Sequence, residues 1–468
     1  MTSALPLARP RSGVSLRRQT AAPAATLVRF WLPLGVIAAV LIVVSGSPQW
    51  AAGGGAEITV GERVGATLSR QVAFLTLGAM GLLLWLLPTR PAQRPVWHIL
   101  LPAAGLLAFV LSSTLWSEVP AMTFKRGIVV ACITIAGFGL SRHWQPRAFC
   151  LAIILLSSLL LIVSIGVELR YRMFFSTPEE YRFSGIFHPA KQAFNCGMLA
   201  LAALAAFLAQ RRRRYLVLVA LAVAFLLMTK ARTGVGATVL AGGVLIWPHL
   251  TLRSVAVGSI VAGCLAGAAL VTAGLRGATL PLEQVLTLGR DAELADPSKL
   301  TGRLPIWNQA LQLYARRPLA GYGYGAFWTQ QRLDEFERRN GWPLAHSHSA
   351  YIESLVNLGA VGVLGGLLLA LGTLVRSLRL AALYRSPALR LVAALLTMAL
   401  ISGLTEMAFI GDGYEFLAIT MAVGLIAFRP RDSGVRGDGV RGDGVRGDGV
   451  RDDGVPRRDG GPQTGAVA

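Results

Sequence analysis

The chain has 468 residues, of which 54% are hydrophobic and only 15% charged, and its formal net charge is +21. Soluble globular proteins carry roughly 25% charged residues, so this deficit excludes an ordinary water-soluble globule and points to a chain that lies largely in lipid. A balance of +21 would imply nucleic acid in a soluble protein; here the bases must first be sorted by side of the membrane.

Residues 1–28 are rich in Arg and Pro without apolar periodicity and read as a disordered basic cytoplasmic tail. Twelve apolar stretches then approach the roughly 20 residues a spanning helix needs. They lie near 30–45, 71–87, 97–115, 127–141, 148–166, 190–209, 215–229, 233–248, 253–273, 351–375, 388–404 and 413–428. The first is read as a retained helix, because no small-x-small site closes it and further spans follow. With the amino terminus inside, short basic loops alternate with longer mixed ones. Arg90 and Arg94, Arg142 and Arg147, Arg211 to Arg214, Arg253, and Arg376, Arg379 and Arg385 all fall on the cytoplasmic side. The expectation is an all-α polytopic membrane protein of about 12 spans over 29–428, with both termini cytoplasmic. From 429 to 468 a Val-Arg-Gly-Asp-Gly repeat reads as a disordered tail. Its Arg-Gly-Asp triplets match an adhesion motif, but the topology puts them in the cytoplasm. Cys132, Cys150, Cys196 and Cys264 sit in or beside apolar runs with no metal-site spacing, and read as small buried hydrophobes.

One loop on the outer side is far longer than the rest, about 275–350, between spans 9 and 10. Loops of that length are usually functional. A helix is expected from Pro305 through Tyr314 and a charged one from Gln330 to Arg339. Between them Gly321-Tyr-Gly-Tyr-Gly325 either bends sharply or lets backbone approach a ligand. The loop ends in His346-Ser-His348-Ser-Ala-Tyr-Ile-Glu353, where a titratable pair meets an apolar span. Two histidines at i, i+2 on an extended segment are expected to point opposite ways, so no metal site is expected.

Bases on the outer face run against the positive-inside tendency and need another reason. Arg170, Arg172 and Arg182 precede His188-Pro-Ala-Lys191; Lys230 and Arg232 lie in a short connection; Arg303 lies in Thr301-Gly-Arg-Leu-Pro-Ile-Trp307. Arg170, Arg172 and Lys230 are explained by snorkelling to headgroups. Arg232 and Arg303 lie beside glycine in tight segments and fit phosphate oxygens, which a guanidinium fork binds with paired hydrogen bonds. Histidine is the side chain best placed to act as a base near neutral pH. The sequence has no Walker, His-Glu-x-x-His or Gly-x-Ser-x-Gly signature.

The pieces Thr301-Gly-Arg-x-x-Ile-Trp307, Gly321-Tyr-Gly-Tyr-Gly325 and His346-Ser-His348-Ser-x-Tyr-Ile-Glu353 with Leu358-Gly359 resemble the bacterial O-antigen ligase/polymerase family, most closely its exopolysaccharide polymerases. Trp116-Ser117 with Lys125-Arg126, Arg182 with Gly185 and His188-Pro189, and Arg232-Thr-Gly234 extend the resemblance over about 115–360. It implies a membrane glycosyltransferase that takes glycan from an undecaprenyl-diphosphate carrier at the periplasmic face, without metal, cofactor or nucleotide sugar. It implies His348 as the catalytic base, with Ser349 where relatives have Asn and Ile352 at the apolar position after it. His346 ranks second, orienting its neighbour or contacting sugar. Arg232 and Arg303 match the family's diphosphate-binding arginines, and Arg182 is added from the same face. The expected partners are the lipid-linked glycan, membrane lipid and other polysaccharide assembly proteins, with no nucleic acid; the expected location is the bacterial inner membrane. Polymerisation is favoured by the Gly-Tyr-Gly-Tyr-Gly segment. The alternatives are ligation of a finished glycan to a lipid or protein acceptor, and transport of lipid-linked glycan.

Overall fold

The structure, a computed structural model, describes residues 27–45, 68–89, 93–175, 181–250, 303–340, 346–407, 411 and 413–430. The two expected tails, apart from the few residues at 27–28 and 429–430, the span at 253–273 and Cys264 lie outside the described residues. All of the description concerns the unit Met1–Pro430.

The described residues of this unit are predominantly helical. In order, the helices are α1 (Leu32–Ser45), α2 (Leu68–Leu86), α3 (Trp97–Ser112), α4 (Pro120–His143), α5 (Pro146–Arg170), α6 (Pro189–Gln210), α7 (Arg214–Met228) and α8 (Arg232–Ile246). Then come α9 (Arg303–Tyr314), α10 (Gln330–Asn340), α11 (Ala350–Leu383), α12 (Pro387–Ser402) and α13 (Tyr414–Ala427). Every expected span except that at 253–273 therefore has a helix. Six of them, α2 to α6 and α11, are long and apolar enough to cross a membrane, and α1, α7, α12 and α13 are shorter apolar helices. Several starts follow from local chemistry. Pro120, Pro146, Pro189 and Pro387 occupy first turns, where a missing N–H costs nothing, and Ser386 caps α12 by accepting from Leu389 N at 3.3 Å. A feature the sequence did not announce is a short antiparallel ribbon, β1 (Gln93–Pro95) with β2 (Phe428–Pro430), pairing Arg94 with Arg429.

Without a hydrophobic drive between helices in lipid, close contact depends on small residues. A side chain at Gly81 would stand 2.4 Å from Ala136 Cα, so α2 lies against α4 there; a side chain at Gly137 would meet Thr420 Oγ1 at 2.3 Å, joining α4 to α13. Ser141 Oγ donates to Met421 O at 2.8 Å in the same seam. Outward, Leu82 and Leu83 on α2 and Leu364, Leu368 and Leu371 on α11 are exposed, an apolar surface suited to lipid. Cys132, Cys150 and Cys196 are buried and free, as the small hydrophobes they were expected to be.

α11 is broken at Gly359, whose φ of 67° and ψ of −169° interrupt the helix. The glycine loop docks into this break. Tyr322 N donates to Val356 O (2.9 Å), Gly323 N to Asn357 O (2.9 Å), Ala360 N to Pro318 O (2.8 Å) and Val361 N to Leu319 O (3.2 Å). Gly321, Gly323 and Gly325 all have positive φ, and a side chain on them would overlap Asn357, Ser117 and Arg126 respectively. The approach permitted by these glycines is thus to the protein's own backbone. Trp116 Nε1 donates to Ala320 O at 3.1 Å, Arg126 donates to Gly325 O, and Glu118 pairs with Arg332 at 2.8 Å. The Trp116-Ser117 and Lys125-Arg126 motif and the glycine motif therefore build one joint, which fixes the segment between α9 and α10 to α4 and α11. Because this segment builds scaffold, it no longer favours polymerase over ligase.

Candidate active site

The residues that carry chemistry gather at the end of the bundle where α5, α7 and α12 finish and α6, α8, α11 and α13 begin. The His346–Ser349 turn is held there from below by Glu353, one turn into α11. This buried carboxylate accepts from Ser347 N (3.1 Å), Ser347 Oγ (2.8 Å), Trp328 Nε1 (3.0 Å) and Asn357 Nδ2 (3.0 Å). Trp307 Nε1 donates to Ser347 O at 2.9 Å, so α9 reaches the same turn. His348 has φ 52°, a left-handed conformation uncommon for a residue with a side chain. This curls the turn: His348 N donates to His346 Nδ1 at 3.1 Å, and the two rings lie 4.2 Å apart. The expectation that they point opposite ways is wrong: even on an extended backbone residues i and i+2 share a face, and here the left-handed turn at His348 keeps the two rings together. The hydrogen bond joins the His346 ring to the backbone of its neighbour. Among the described residues no group of three His, Cys, Asp or Glu side chains has the arrangement a metal ion needs.

Ser349 is the N-cap of α11; its Oγ accepts from Ile352 N at 3.5 Å and lies 3.4 Å from Gly403 O. Asn and Ser cap equally well, which explains how Ser stands where the resembled family has Asn. Ser349→Asn is expected to leave thermal stability within about 0.5 kcal/mol, whereas Ser349→Ala costs about 1 kcal/mol; melting of the purified variants measures both.

The turn after α12 joins the histidine turn to an arginine. Ala350 N is shared between Gly403 O (2.9 Å) and Glu406 O (3.1 Å), while the Glu406 carboxylate takes Arg303 Nη2 at 2.9 Å. Arg303 is four residues before Trp307, hence one turn away on the same side of α9. Arg182 comes to this region on another path. Its segment is anchored by Glu168 of α5, which accepts from Ser184 N (3.0 Å), Gly185 N (2.8 Å) and Tyr181 OH (3.2 Å), and Arg182 Nε donates to Thr229 O at 3.2 Å. Lys191, in the first turn of α6, pairs with Glu415 at 3.5 Å.

These cations share one field. Burial first, then Arg182, Lys191 and Arg303, lower His188 from 6.5 to about 4. His188 is therefore neutral at physiological pH, and it caps α6 by accepting from Ala190 N at 3.4 Å. Burial raises the Glu406 carboxyl above the ordinary range, opposed by Arg303, Arg182 and Lys191. Three cations from three parts of the chain thus act on the same two side chains. Arg232 begins α8, three residues after the Thr229 carbonyl that holds Arg182, and makes no ion pair or hydrogen bond with the described residues. Lys191, His188 and Glu406 were not among the expected site residues; Lys191 and His188 lay in a quoted motif, but nothing local tied Glu406 to Arg303.

Comparison with known proteins covers parts of the chain. Residues 197–367 match the family model described as O-antigen ligase, a segment that contains Arg232, Arg303, His346 and His348 but not Arg182, Lys191 or Glu406. A stretch of 75 residues is 37% identical to the exopolysaccharide production protein ExoQ of Rhizobium meliloti (strain 1021), covering 14% of this chain and 17% of that protein. The chain thus matches well under two thirds of that relative's length. Both matches are partial, and both point the same way: over these segments the chain is similar to the O-antigen ligase family and to an exopolysaccharide production protein.

Proposed function

We propose that the chain is a multi-pass inner-membrane glycosyltransferase that polymerises undecaprenyl-diphosphate-linked repeat units at the periplasmic face, with both termini cytoplasmic. The observation that carries the reading is the convergence of the histidine turn, Arg303 and Arg182 at one end of an apolar helical bundle, linked through the turn that bears Glu406. A diphosphate ester needs cations where its leaving group gathers charge, and a base for the attacking hydroxyl; both are supplied at a lipid-water boundary, where the carrier presents its head group.

In this reading His348 takes the proton of an acceptor sugar hydroxyl. The oxygen attacks the anomeric carbon, the bond to the diphosphate breaks, and the electron pair leaves with the phosphate oxygen. Arg303 and Arg232, with Arg182 beside them, stabilise that charge. A single displacement of this kind inverts the anomeric centre and requires no metal. His346 orients His348.

Ligation to a different acceptor uses the same chemistry and is the second reading, favoured by the description of the matched family. Cells lacking the protein, complemented with wild type or with His348→Ala, Arg232→Ala or Arg303→Ala at equal membrane level, separate the two. Polymerisation predicts long glycan from wild type and single repeat units from each variant. Long glycan that accumulates on its lipid carrier in the variants assigns ligation instead. Movement of lipid-linked glycan across vesicles without covalent transfer would replace both with transport.

A further inference from the structure

We infer that Glu406 is a positioning residue, which aims Arg303 at the leaving diphosphate and locks that aim to the histidine turn; this rests on the proposed glycosyl transfer at the same site. Glu406 touches both halves of the machinery. Its backbone carbonyl accepts from Ala350 N at 3.1 Å, two residues beyond His348, and its carboxylate holds Arg303 Nη2 at 2.9 Å.

The contact with Arg303 is one-sided. Only Nη2 meets Glu406, and Arg303 makes no further hydrogen bond or ion pair with the described residues. The rest of the guanidinium fork remains available for phosphate oxygens, the arrangement in which arginine binds anions by paired bonds. A carboxylate gripping one corner fixes the plane of the fork before substrate arrives, so that little reorganisation is left for the reaction step.

Stability is a poor explanation for the pair. The two side chains are only 21% and 26% exposed, and the cost of desolvating them offsets much of what their attraction contributes. Glu406 also sits where an anion is useful for another reason. Arg182, Lys191 and Arg303 all act on it. Between turnovers these cations repel each other, and a carboxylate attached to the turn offsets that repulsion without leaving the site. Neither the matched family segment nor the sequence motifs contain Glu406.

The test measures transfer by purified, detergent-solubilised protein, using lipid-linked repeat units extracted from cells lacking it as the donor. Wild type, Glu406→Gln, Arg303→Ala and the double variant are compared, after checking equal melting temperatures. Glutamine keeps an acceptor oxygen but loses the charge that makes the bond about twice as strong, so kcat should fall about tenfold, with a smaller change in donor KM. If Glu406 acts through Arg303, adding Glu406→Gln to Arg303→Ala should lower the rate no further. A tenfold additional loss in that background would assign Glu406 a general structural role and overturn the inference. A faster enzyme or a lower donor KM with Glu406→Gln would mean that the carboxylate competes with diphosphate for Arg303, and would overturn it as well. If Glu406→Gln does not accumulate, Glu406→Asp, which keeps the charge and shortens the reach by one methylene, is read by the same non-additivity. Full activity of Arg303→Ala would instead remove the proposed site itself.

Discussion

Glu353→Ala is expected to abolish glycan transfer and to lower the stability of the solubilised protein by about 3 kcal/mol or more, because several buried donors lose their shared acceptor. The carboxylate sits at the junction of three elements. Its partners are Trp328 just before α10, Ser347 between the two histidines, and Asn357 beside the break in α11. Alanine would leave the Trp328 indole N–H, the Ser347 amide and the Asn357 amide group without their acceptor, at about 1–3 kcal/mol for each one that stays buried and dry. The effect on transfer is expected to exceed the effect on stability, because Ser347 sets the path of the turn that brings the His346 and His348 rings to 4.2 Å. Glu353→Gln should lie between wild type and alanine. It retains one acceptor oxygen, but its amide hydrogens face Asn357 Nδ2, whose own Oδ1 is engaged by Phe327 N at 3.2 Å. Melting temperature and transfer rate, measured on the same preparations, check the order. A Glu353→Ala protein with unchanged melting and transfer would show that the network carries neither.

Gly359→Ala should unseat the segment between α9 and α10. At φ 67° and ψ −169° the backbone is in a region essentially confined to glycine, and an added Cβ would stand 2.2 Å from Leu319 O and 2.6 Å from Ala320 N. The loop can relieve that overlap only by moving off the helix, which breaks the bonds of Ala360 N and Val361 N to Pro318 O and Leu319 O. The expected loss is about 3 kcal/mol or more: about 1–3 kcal/mol of backbone strain plus the broken contacts. Gly366 and Gly372 lie farther along the same helix, where a Cβ meets nothing within 4 Å. Alanine there should stabilise by about 0.5–1 kcal/mol through helix propensity. Limited proteolysis of the 315–345 region, with melting, distinguishes the variants: rapid cleavage for Gly359→Ala and wild-type resistance for the other two.

What could be read from the chain, and what could not, divides along physical lines. Apolar runs of sufficient length announced the helices, because lipid forces backbone groups to be satisfied inside each segment. Pro305 and the charged run after Gln330 marked α9 and α10 correctly, since first-turn proline and helical periodicity are local signals. Arg182 and Arg303 were legible as candidates because a base on the outer side runs against the topological rule, although their convergence depends on contacts across more than a hundred residues. The fate of Gly321-Tyr-Gly-Tyr-Gly325 was not legible. A glycine run shows that something approaches closely, and only the packing shows that the approaching group is α11 rather than a ligand. The histidine pair was misjudged for a different reason. Alternation along an extended backbone separates adjacent residues, not residues two apart, and the left-handed turn at His348 has no local marker in the sequence. Glu406 was hidden because its role arises from a partner 103 residues away, with no spacing to mark it.

The most direct measurement is transfer in a defined system: purified protein in detergent, an undecaprenyl-diphosphate oligosaccharide as donor, and product size followed with time. The account predicts that wild type lengthens or transfers the glycan and releases undecaprenyl diphosphate in equal amount, that His348→Ala, folded and equally soluble, does neither, and that Arg303→Ala does both at a strongly reduced but measurable rate. Transfer by His348→Ala at the wild-type rate would contradict it.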